Sequence, residues 1–251
     1  MIPNPIHKVL STLCTHEVRY LLMGGQACVF YGAAEFSRDC DIAIVCDAEN
    51  MERLQKALRE LDAKPIAVPS FTVDNLARGH AVHFRCQAPE VAGMRLDVMA
   101  KLRGVAPFEE LWSRRTTVED EGGVRFELMS LPDLVLAKKT QRDKDWPMLR
   151  RLVEAHYAEH KDNATDKQVR FWLRESRTPE MLIELAARHP QVAQEMVTQR
   201  PLVADAEHAS RARLKPALAQ EESQERELDR QYWEPLKREL EQMRHGGRPK
   251  A

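Results

Sequence analysis

The stretch MGGQACVFYGAAEFSRDCDIAI, residues 23–44, carries two glycines after one apolar run and two aspartates at the start of the next. The preceding segment 18–23, VRYLLM, predicts a strand that leads into Gly24 and Gly25, and the residues from 26 onward predict a short helix. The segment 39–46, DCDIAIVC, is rich in aliphatic residues and is bounded by turn-forming residues, so it predicts a second strand.

Two acids share one face of this second strand. Because side chains alternate along a strand, Asp39 and Asp41 point to one side, while Cys40 and Ile42 point to the other side, toward the core. Two carboxylates this close repel each other, and their desolvation is costly unless a cation compensates them. The pattern therefore predicts a cation site at one end of the strand.

A third acid has the same setting further along the chain. Asp97 lies between Leu96 and Val98 in the segment 93–100, GMRLDVMA, which predicts another strand. If the two strands are neighbours, three carboxylates converge, and hard oxygen ligands of this kind suit Mg²⁺. Two Mg²⁺ ions held in this way can activate a hydroxyl group and stabilise a phosphoryl-transfer transition state.

Gly24 and Gly25 lie where the first strand passes into the helix. Glycine allows a sharp turn and a close approach that a side chain would block, and amide groups at a helix start can bind phosphate. Gln26 would add a hydrogen-bond donor. The sequence therefore predicts a phosphate position beside the two glycines.

Each of these features has a plainer interpretation when it is taken singly. The glycine pair is then a turn, Asp39 and Asp41 are a solvated turn or a cap, and Asp97 is a salt-bridged strand residue. Their order along the chain, with thirteen residues between Gly25 and Asp39, favours the joint functional interpretation.

The rest of the N-terminal half alternates between strand and helix patterns. An amphipathic helix is predicted over 48–61, strands over 80–87 and 93–100, a hairpin over 116–129 that turns at residues 121–123, and a helix from residue 130. After about residue 145 only helical patterns follow. We expect an α/β (α+β) fold with a mixed sheet flanked by helices, followed by an all-helical C-terminal region. The expected domains are residues 1–150 and 151–251, with a flexible tail at 245–251.

The arrangement resembles the polymerase-β-type nucleotidyltransferase superfamily, whose signature is Gly-Gly or Gly-Ser, a spacer, Asp-x-Asp between apolar residues, and a later strand with a third acid. The matching positions are Gly24, Gly25, Asp39, Asp41 and Asp97, and the resemblance spans roughly residues 15–150. It implies the nucleotidyltransferase fold and Mg²⁺-dependent transfer of a nucleoside monophosphate from a nucleoside triphosphate to an acceptor hydroxyl group. It also implies that the three aspartates are catalytic residues that hold two Mg²⁺ ions.

Within that superfamily, the segments GGQA, SRDCDIAI and LVLAKKTQRDKD are most similar to bacterial abortive-infection toxin-type nucleotidyltransferases. That group tends to have a lysine followed by Lys-Asp in a helix after the sheet. Lys138, Lys144 and Asp145 are the matching positions here, although the alignment of the first lysine can shift to Lys139. The resemblance implies that these residues belong to the nucleotide-binding set.

The basic residues of this helical segment have two interpretations. In the first, Lys138 and Arg142 reach triphosphate oxygens, because a positive group must offset the charge that Mg²⁺ leaves. In the second, they form a solvated face, and Asp145 caps the next helix. Arg38, beside the aspartates, pairs with those acids or with phosphate, or is a surface arginine.

Composition limits the classes of protein that fit. The formal net charge is −1 and 43% of residues are hydrophobic, so a core is available and no global positive field indicates nucleic-acid binding. No apolar run is long enough for a membrane span, and residues 1–10 lack the pattern of a signal peptide, so we expect a cytoplasmic protein without a membrane partner. The five cysteines lack CxxC spacing and are expected to be small buried side chains.

The acceptor is not determined by these patterns. The resemblance implies binding of a nucleoside triphosphate such as ATP, although the sequence does not determine the base. The implied acceptor is an RNA or tRNA end, a small molecule or a protein, in a toxin–antitoxin or phage-defence setting. The alternative is a non-catalytic module of the same fold that binds a nucleotide or a partner protein.

Overall fold

The computed structural model describes residues 4–34 and 36–246, which form two compact units. The first unit contains residues 4–30, 34, 36–137 and 232–246, and the second contains residues 31–33 and 138–231. The domain boundary at 150/151 stays a prediction.

Seven strands of the first unit form one sheet. They are β1 (Tyr20–Met23), β2 (Asp39–Ile44), β3 (Lys64–Pro65), β4 (Val82–Arg85), β5 (Arg95–Met99), β6 (Thr116–Glu119) and β7 (Arg125–Leu128). Their order across the sheet is β3-β4-β5-β2-β1-β7-β6. The pairs β2–β5 and β1–β7 are parallel and the other pairs are antiparallel, so the sheet is mixed, as the sequence predicts.

Helices account for most of the remaining elements. They are α1 (Asn4–Thr15), α2 (Gly24–Phe30), α3 (Ala48–Glu60), α4 (Val73–Arg78), α5 (Phe108–Ser113), α6 (Leu131–Ala137), α7 (Asp145–His160), α8 (Asp166–Glu175), α9 (Pro179–Arg188), α10 (Pro190–Met196), α11 (Val203–Glu207) and α12 (Arg211–Gly246). The expected fold class, a mixed sheet with flanking helices and then an all-helical region, is confirmed.

The centre of the sheet is apolar on the face that the alternation predicts. Leu22 of β1 lies opposite Ile42 of β2, and these two side chains and that of Cys40 are fully buried on this face. Burial of such side chains supplies the main driving force for folding. The opposite face of β2 is therefore free to carry its two acids.

The hairpin between β6 and β7 turns where the sequence predicts. The carboxylate of Asp120 accepts hydrogen bonds from the backbone amides of Gly122 and Val124, at 2.9 and 2.8 Å. Gly123 has a φ of +79°, the left-handed region that glycine occupies without strain. Local turn chemistry thus sets the register of this edge of the sheet.

A buried asparagine ties α3 to the sheet. The side chain of Asn50 accepts a hydrogen bond from the amide of Arg19 at 2.7 Å and donates to the carbonyls of Arg19 and Val45 at 3.0 and 2.9 Å. Asp47 caps the same helix, since its carboxylate accepts the amide of Asn50 at 2.8 Å. These bonds hold the end of β2 and the start of α3 in place.

Two further sequence expectations concern the C-terminal tail and membrane-spanning helices. In the tail 245–251, His245 and Gly246 end α12, and the rest lies outside the described residues. No helix among residues 4–34 and 36–246 is both long and apolar enough to cross a membrane.

The substitution Asn50→Ala is expected to lower the free energy of unfolding by about 2 kcal/mol, because buried backbone groups lose their hydrogen-bond partners. Gln55→Ala, an exposed position on the same helix, is the matched control and is expected to change stability by under about 0.5 kcal/mol. Urea denaturation measures both variants, and equal losses would contradict the role of Asn50.

Candidate active site

The parallel pairing of β2 with β5 brings the predicted acids together. Asp41 lies directly opposite Asp97, and Asp39 lies directly opposite Arg95. Because neighbouring strands in register share their faces, these four side chains project from the same side of the sheet. Asp39 and Asp41 are half-buried, and Asp97 is 9% exposed.

Two side chains contact the same oxygen of Asp97. Arg95 Nε donates to Asp97 Oδ1 at 2.7 Å, and His83 Nδ1 lies 2.9 Å from that oxygen. His83 Nδ1 is also 3.1 Å from an Arg95 nitrogen, and a single ring nitrogen cannot donate to one group and accept from the other at once. Arg95 is therefore the constant partner of Asp97, and His83 contributes according to its tautomer.

Asp97 and Arg95 shift each other's pKa. Burial raises the pKa of Asp97, but hydrogen bonds from His83 and Arg95 outweigh it, so the pKa lies below its usual value. The pKa of Arg95 is raised by its hydrogen bond to Asp97, and the charges of Asp39 and Asp41 add to this. The three carboxylates therefore share one electrostatic environment.

Gly24 is the point of closest approach between α2 and the acids. It has a φ of +68°, and a Cβ built there would lie 1.9 Å from Asp41 Oδ2 and 2.7 Å from Asp41 Cβ. No side chain fits in that space, so glycine is required for both its backbone angle and its lack of a side chain. The carboxylate of Asp41 thus lies directly against the start of α2.

Gly25, Gln26 and Arg38 are the other residues expected near phosphate, and they differ in burial and in contacts. A Cβ on Gly25 would lie 2.7 Å from Ser37 Oγ. Gln26 is buried, and its side-chain oxygen has no hydrogen-bond partner among the described residues. Arg38 is exposed next to Asp39. Phosphate binding by these residues stays a prediction.

The three acids fit Mg²⁺ by the chemistry of their oxygens, but they are not arranged around a metal position. Within residues 4–34 and 36–246, no three His, Cys, Asp or Glu side chains are grouped so that they could hold a metal ion. Both contacts to Asp97 use Oδ1. Asp97 would therefore contribute Oδ2 to a divalent ion, and binding of a metal by Asp39, Asp41 and Asp97 stays a prediction.

The basic residues predicted from the helical segment form a cluster within the second unit. Asp145 is 2% exposed and accepts from Lys138 at 3.2 Å, Thr140 at 2.6 Å and Arg142 at 2.6 Å. Burial raises the pKa of Asp145, but the charge of Lys138, the bond from Thr140 and the charge of Arg142 together lower it below its usual value. Lys144 is exposed.

This cluster bears on the two interpretations of the segment. Asp145 is the first residue of α7, and its carboxylate binds side chains rather than capping the helix. Lys138 is buried and neutralised by Asp145, which favours a structural role, while Arg142 and Lys144 remain accessible. Their part in nucleotide binding stays a prediction.

Sequence analysis missed Arg95 and His83. Arg95 is two residues before Asp97, so strand alternation alone places both on one face. His83 reaches the site because it lies opposite Asp97 in the antiparallel pairing of β4 with β5, which no local pattern reveals.

Comparison with solved structures gives several weak likenesses. No family model matches the chain, and no curated protein matches it in sequence. The antibiotic-resistance factor ANT(2'')-Ia is 13% identical, with 78% of this chain and 95% of that chain covered and a TM-score of 0.37. A presumed nucleotidyltransferase from H. pylori is 14% identical, with 89% and 94% covered and a TM-score of 0.39. At these TM-scores neither likeness decides what the chain does, which depends on the residues of the site.

The substitution Gly24→Ala is expected to lower the free energy of unfolding by about 1–3 kcal/mol beyond the cost of its positive φ, because the new methyl group overlaps Asp41. Gly104→Ala is the matched control, since Gly104 has a φ of +67° and open space where a Cβ would lie. Thermal and urea unfolding measure the difference, and equal losses in the two variants would show that Asp41 is not crowded by Gly24.

The substitution Asp145→Asn is expected to lower the free energy of unfolding by about 3 kcal/mol at neutral pH, because buried Lys138 loses its counter-charge. The folded-state pKa of Asp145 is depressed, so its contribution is present above the ordinary aspartate pKa of about 3.9 and is lost as pH falls below it.

The difference between the parent and Asp145→Asn should therefore shrink below about pH 4 in urea unfolding experiments. Asp162→Asn, at an exposed position, is the control. A difference that stays constant down to about pH 2 would contradict the ion-pair account.

Proposed function

We propose that the protein is a Mg²⁺-dependent nucleotidyltransferase that transfers a nucleoside monophosphate from a nucleoside triphosphate to an acceptor hydroxyl group. One observation supports this function best. The pairing of β2 with β5 sets Asp41 beside Asp97, on the face that also carries Asp39, and Asp41 lies against the glycine turn at Gly24.

Asp39 and Asp41 are the residues that would hold Mg²⁺, with Asp97 contributing through Oδ2. When bound, the metal supplies positive charge that offsets the charge of the triphosphate and of the transition state. Asp97 Oδ2 orients the acceptor hydroxyl, whose oxygen bonds to the α-phosphorus as the bond to the pyrophosphate oxygen breaks. The hydroxyl proton passes toward the Asp97 carboxylate, and pyrophosphate leaves.

The triphosphate is assigned to the glycine turn. The positions that a Cβ would take at Gly24 and Gly25 are occupied by Asp41 and Ser37, so the backbone amides at the start of α2 are the groups proposed to contact phosphate oxygens. Gln26 and Arg38 belong to the proposed binding set, Arg38 because it is a guanidinium exposed next to Asp39.

The resemblance assigns four further residues to nucleotide binding, which are Lys138, Arg142, Lys144 and Asp145. Arg142 and Lys144 are exposed cations able to contact phosphate. Lys138 and Asp145 are proposed to act indirectly, because their ion pair holds in place the segment that carries Arg142.

The acceptor is proposed to be an RNA end, tRNA included, in a toxin–antitoxin or phage-defence setting, because the segments GGQA, SRDCDIAI and LVLAKKTQRDKD are similar to the abortive-infection toxin type. A small hydroxylated molecule and a protein side chain are the other acceptor classes. Incubation with each labelled triphosphate and with total RNA or total protein, followed by gel separation, distinguishes them.

A second function has one observation in its favour. Arg95 and His83 hold Asp97 Oδ1 in a pairing that already compensates this carboxylate without a metal ion. This favours a non-catalytic module that binds a nucleotide or a partner protein through the same surface. Calorimetry separates the two functions, because only the transferase requires Mg²⁺-dependent binding of a triphosphate.

Asp39→Asn and Asp41→Asn are each expected to reduce nucleotide transfer by at least about 10³-fold while leaving the fold intact, since each removes a charged oxygen ligand from the site. Asp74→Asn, an exposed aspartate of the same unit, is the control and should retain full activity. Circular dichroism checks the fold of each variant. Full transfer activity in either Asp39→Asn or Asp41→Asn would refute the assignment.

A further inference from the structure

A cavity of about 410 Å³ lies within the helical second unit. Its lining is mixed, since Pro179, Leu218 and Ala219 lie beside six charged or polar residues, which are Arg150, Arg177, Thr178, Glu180, Lys215 and Glu222. Its size falls in the range of small-molecule binding sites. None of the three aspartates of the candidate active site lines it.

One residue that lines the cavity, Arg177, has a buried guanidinium group with one unpartnered N–H donor. The side chain of Arg177 is 7% exposed and donates to Glu221 at 2.6 Å, but its Nε has no hydrogen-bond partner among the described residues. Glu221 also accepts three hydrogen bonds from Arg200, whose side chain is 6% exposed. Two buried guanidinium groups therefore share the carboxylate of Glu221, and the charges of Glu175 and Glu225 also act on Arg177.

The surroundings of Arg177 shift its pKa. Burial and the charge of Arg200 lower the pKa of Arg177, and the charges of Glu221, Glu175 and Glu225 offset this only in part. A buried cation with an unused donor is stabilised by an anion that supplies both a charge and an acceptor.

The first turn of α9 lines the same cavity, and no side chain of the described residues caps this helix N-terminus. Thr178, at the N-cap position, makes no capping hydrogen bond, because its hydroxyl donates to Glu154 instead. Pro179 has no N–H group, and the next amides, those of Glu180 and Met181, have no acceptor within the helix. An uncapped helix start adds positive potential and amide donors that favour an anion.

The rim of the cavity adds two exposed cations. Arg150 and Lys215 have no ion-pair partner among residues 4–34 and 36–246. The acids of the lining are already engaged, because Glu222 accepts two hydrogen bonds from Arg226 at 2.9 and 2.7 Å and Glu180 pairs with Arg211 at 3.5 Å. The cavity therefore presents donors and positive charge from its base, one side and its rim.

We propose that this cavity binds the phosphate group of a small phosphorylated molecule. A phosphate is tetrahedral and accepts hydrogen bonds from several directions, which suits the Nε of Arg177, the start of α9 and the two rim cations. The site goes beyond the proposed transfer reaction and does not depend on it.

Isothermal titration calorimetry on the full chain in EDTA tests the site with inorganic phosphate, adenosine 5′-monophosphate and adenosine. Both phosphate-containing probes should bind saturably, and adenosine should not. Chelation of divalent ions by EDTA excludes metal-dependent binding. The variant Asp39→Asn should bind the phosphate probes as the parent does. Failure of the proposed transfer reaction can therefore be distinguished from failure of this phosphate site.

The double variant Arg150→Gln/Lys215→Gln is expected to bind both phosphate probes at least about 10-fold more weakly, because two charge-assisted contacts are lost. The double variant Arg151→Gln/Lys167→Gln removes two exposed cations of the same unit that do not line the cavity, and it should keep the parent's affinity. Arg177→Lys, which keeps the charge but lacks Nε, should also weaken binding.

Three results would overturn the site. The first is the absence of saturable phosphate binding by the parent chain. The second is an equal loss of affinity in the two double variants, which would indicate diffuse surface charge. The third is a short RNA that binds at least about 10-fold more tightly than adenosine 5′-monophosphate and responds to the same variants, which would assign the cavity to nucleic acid.

Discussion

Two carboxylates that lie side by side on neighbouring strands, those of Asp41 and Asp97, require a cation to compensate them. With Asp39 on the same face, three acids share this surface, and Arg95 supplies a single positive charge to it. His83 Nδ1 also lies 2.9 Å from Asp97 Oδ1, so side chains of the protein already compensate Asp97. The proposed transfer reaction requires in addition that carboxylate oxygens on this face hold a divalent cation, which three acids on one face favour.

The backbone around these acids is adapted to close approach rather than to maximum stability. Gly24 occupies the left-handed region, and the space where its side chain would be is filled by the carboxylate of Asp41. Backbone conformations of this kind cost free energy, and they persist where the surroundings or the function require them. The apolar centre of β1 and β2 supplies the stability that makes this local cost tolerable.

Periodicity in the sequence was sufficient to place Asp39 and Asp41 on one face, because strand alternation is a local property. The meeting of Asp97 with them required the assumption that β5 neighbours β2, which the structure confirms. Arg95 was missed although alternation within β5 alone places it on the face of Asp97, whereas the contact of His83 depends on the pairing of β4 with β5. The helices α4 and α5 have six residues each and are too short for a helical period to be read.

The central claim is that Asp39, Asp41 and Asp97 bind a divalent cation together with a nucleoside triphosphate. Titration of the full chain with Mn²⁺ in the presence of a non-hydrolysable ATP analogue, followed by electron paramagnetic resonance, measures this directly. The expected result is saturable Mn²⁺ binding that requires the analogue and is lost in the Asp39→Asn/Asp41→Asn double variant. Equal Mn²⁺ binding in the parent and the double variant, or no binding in either, would contradict it.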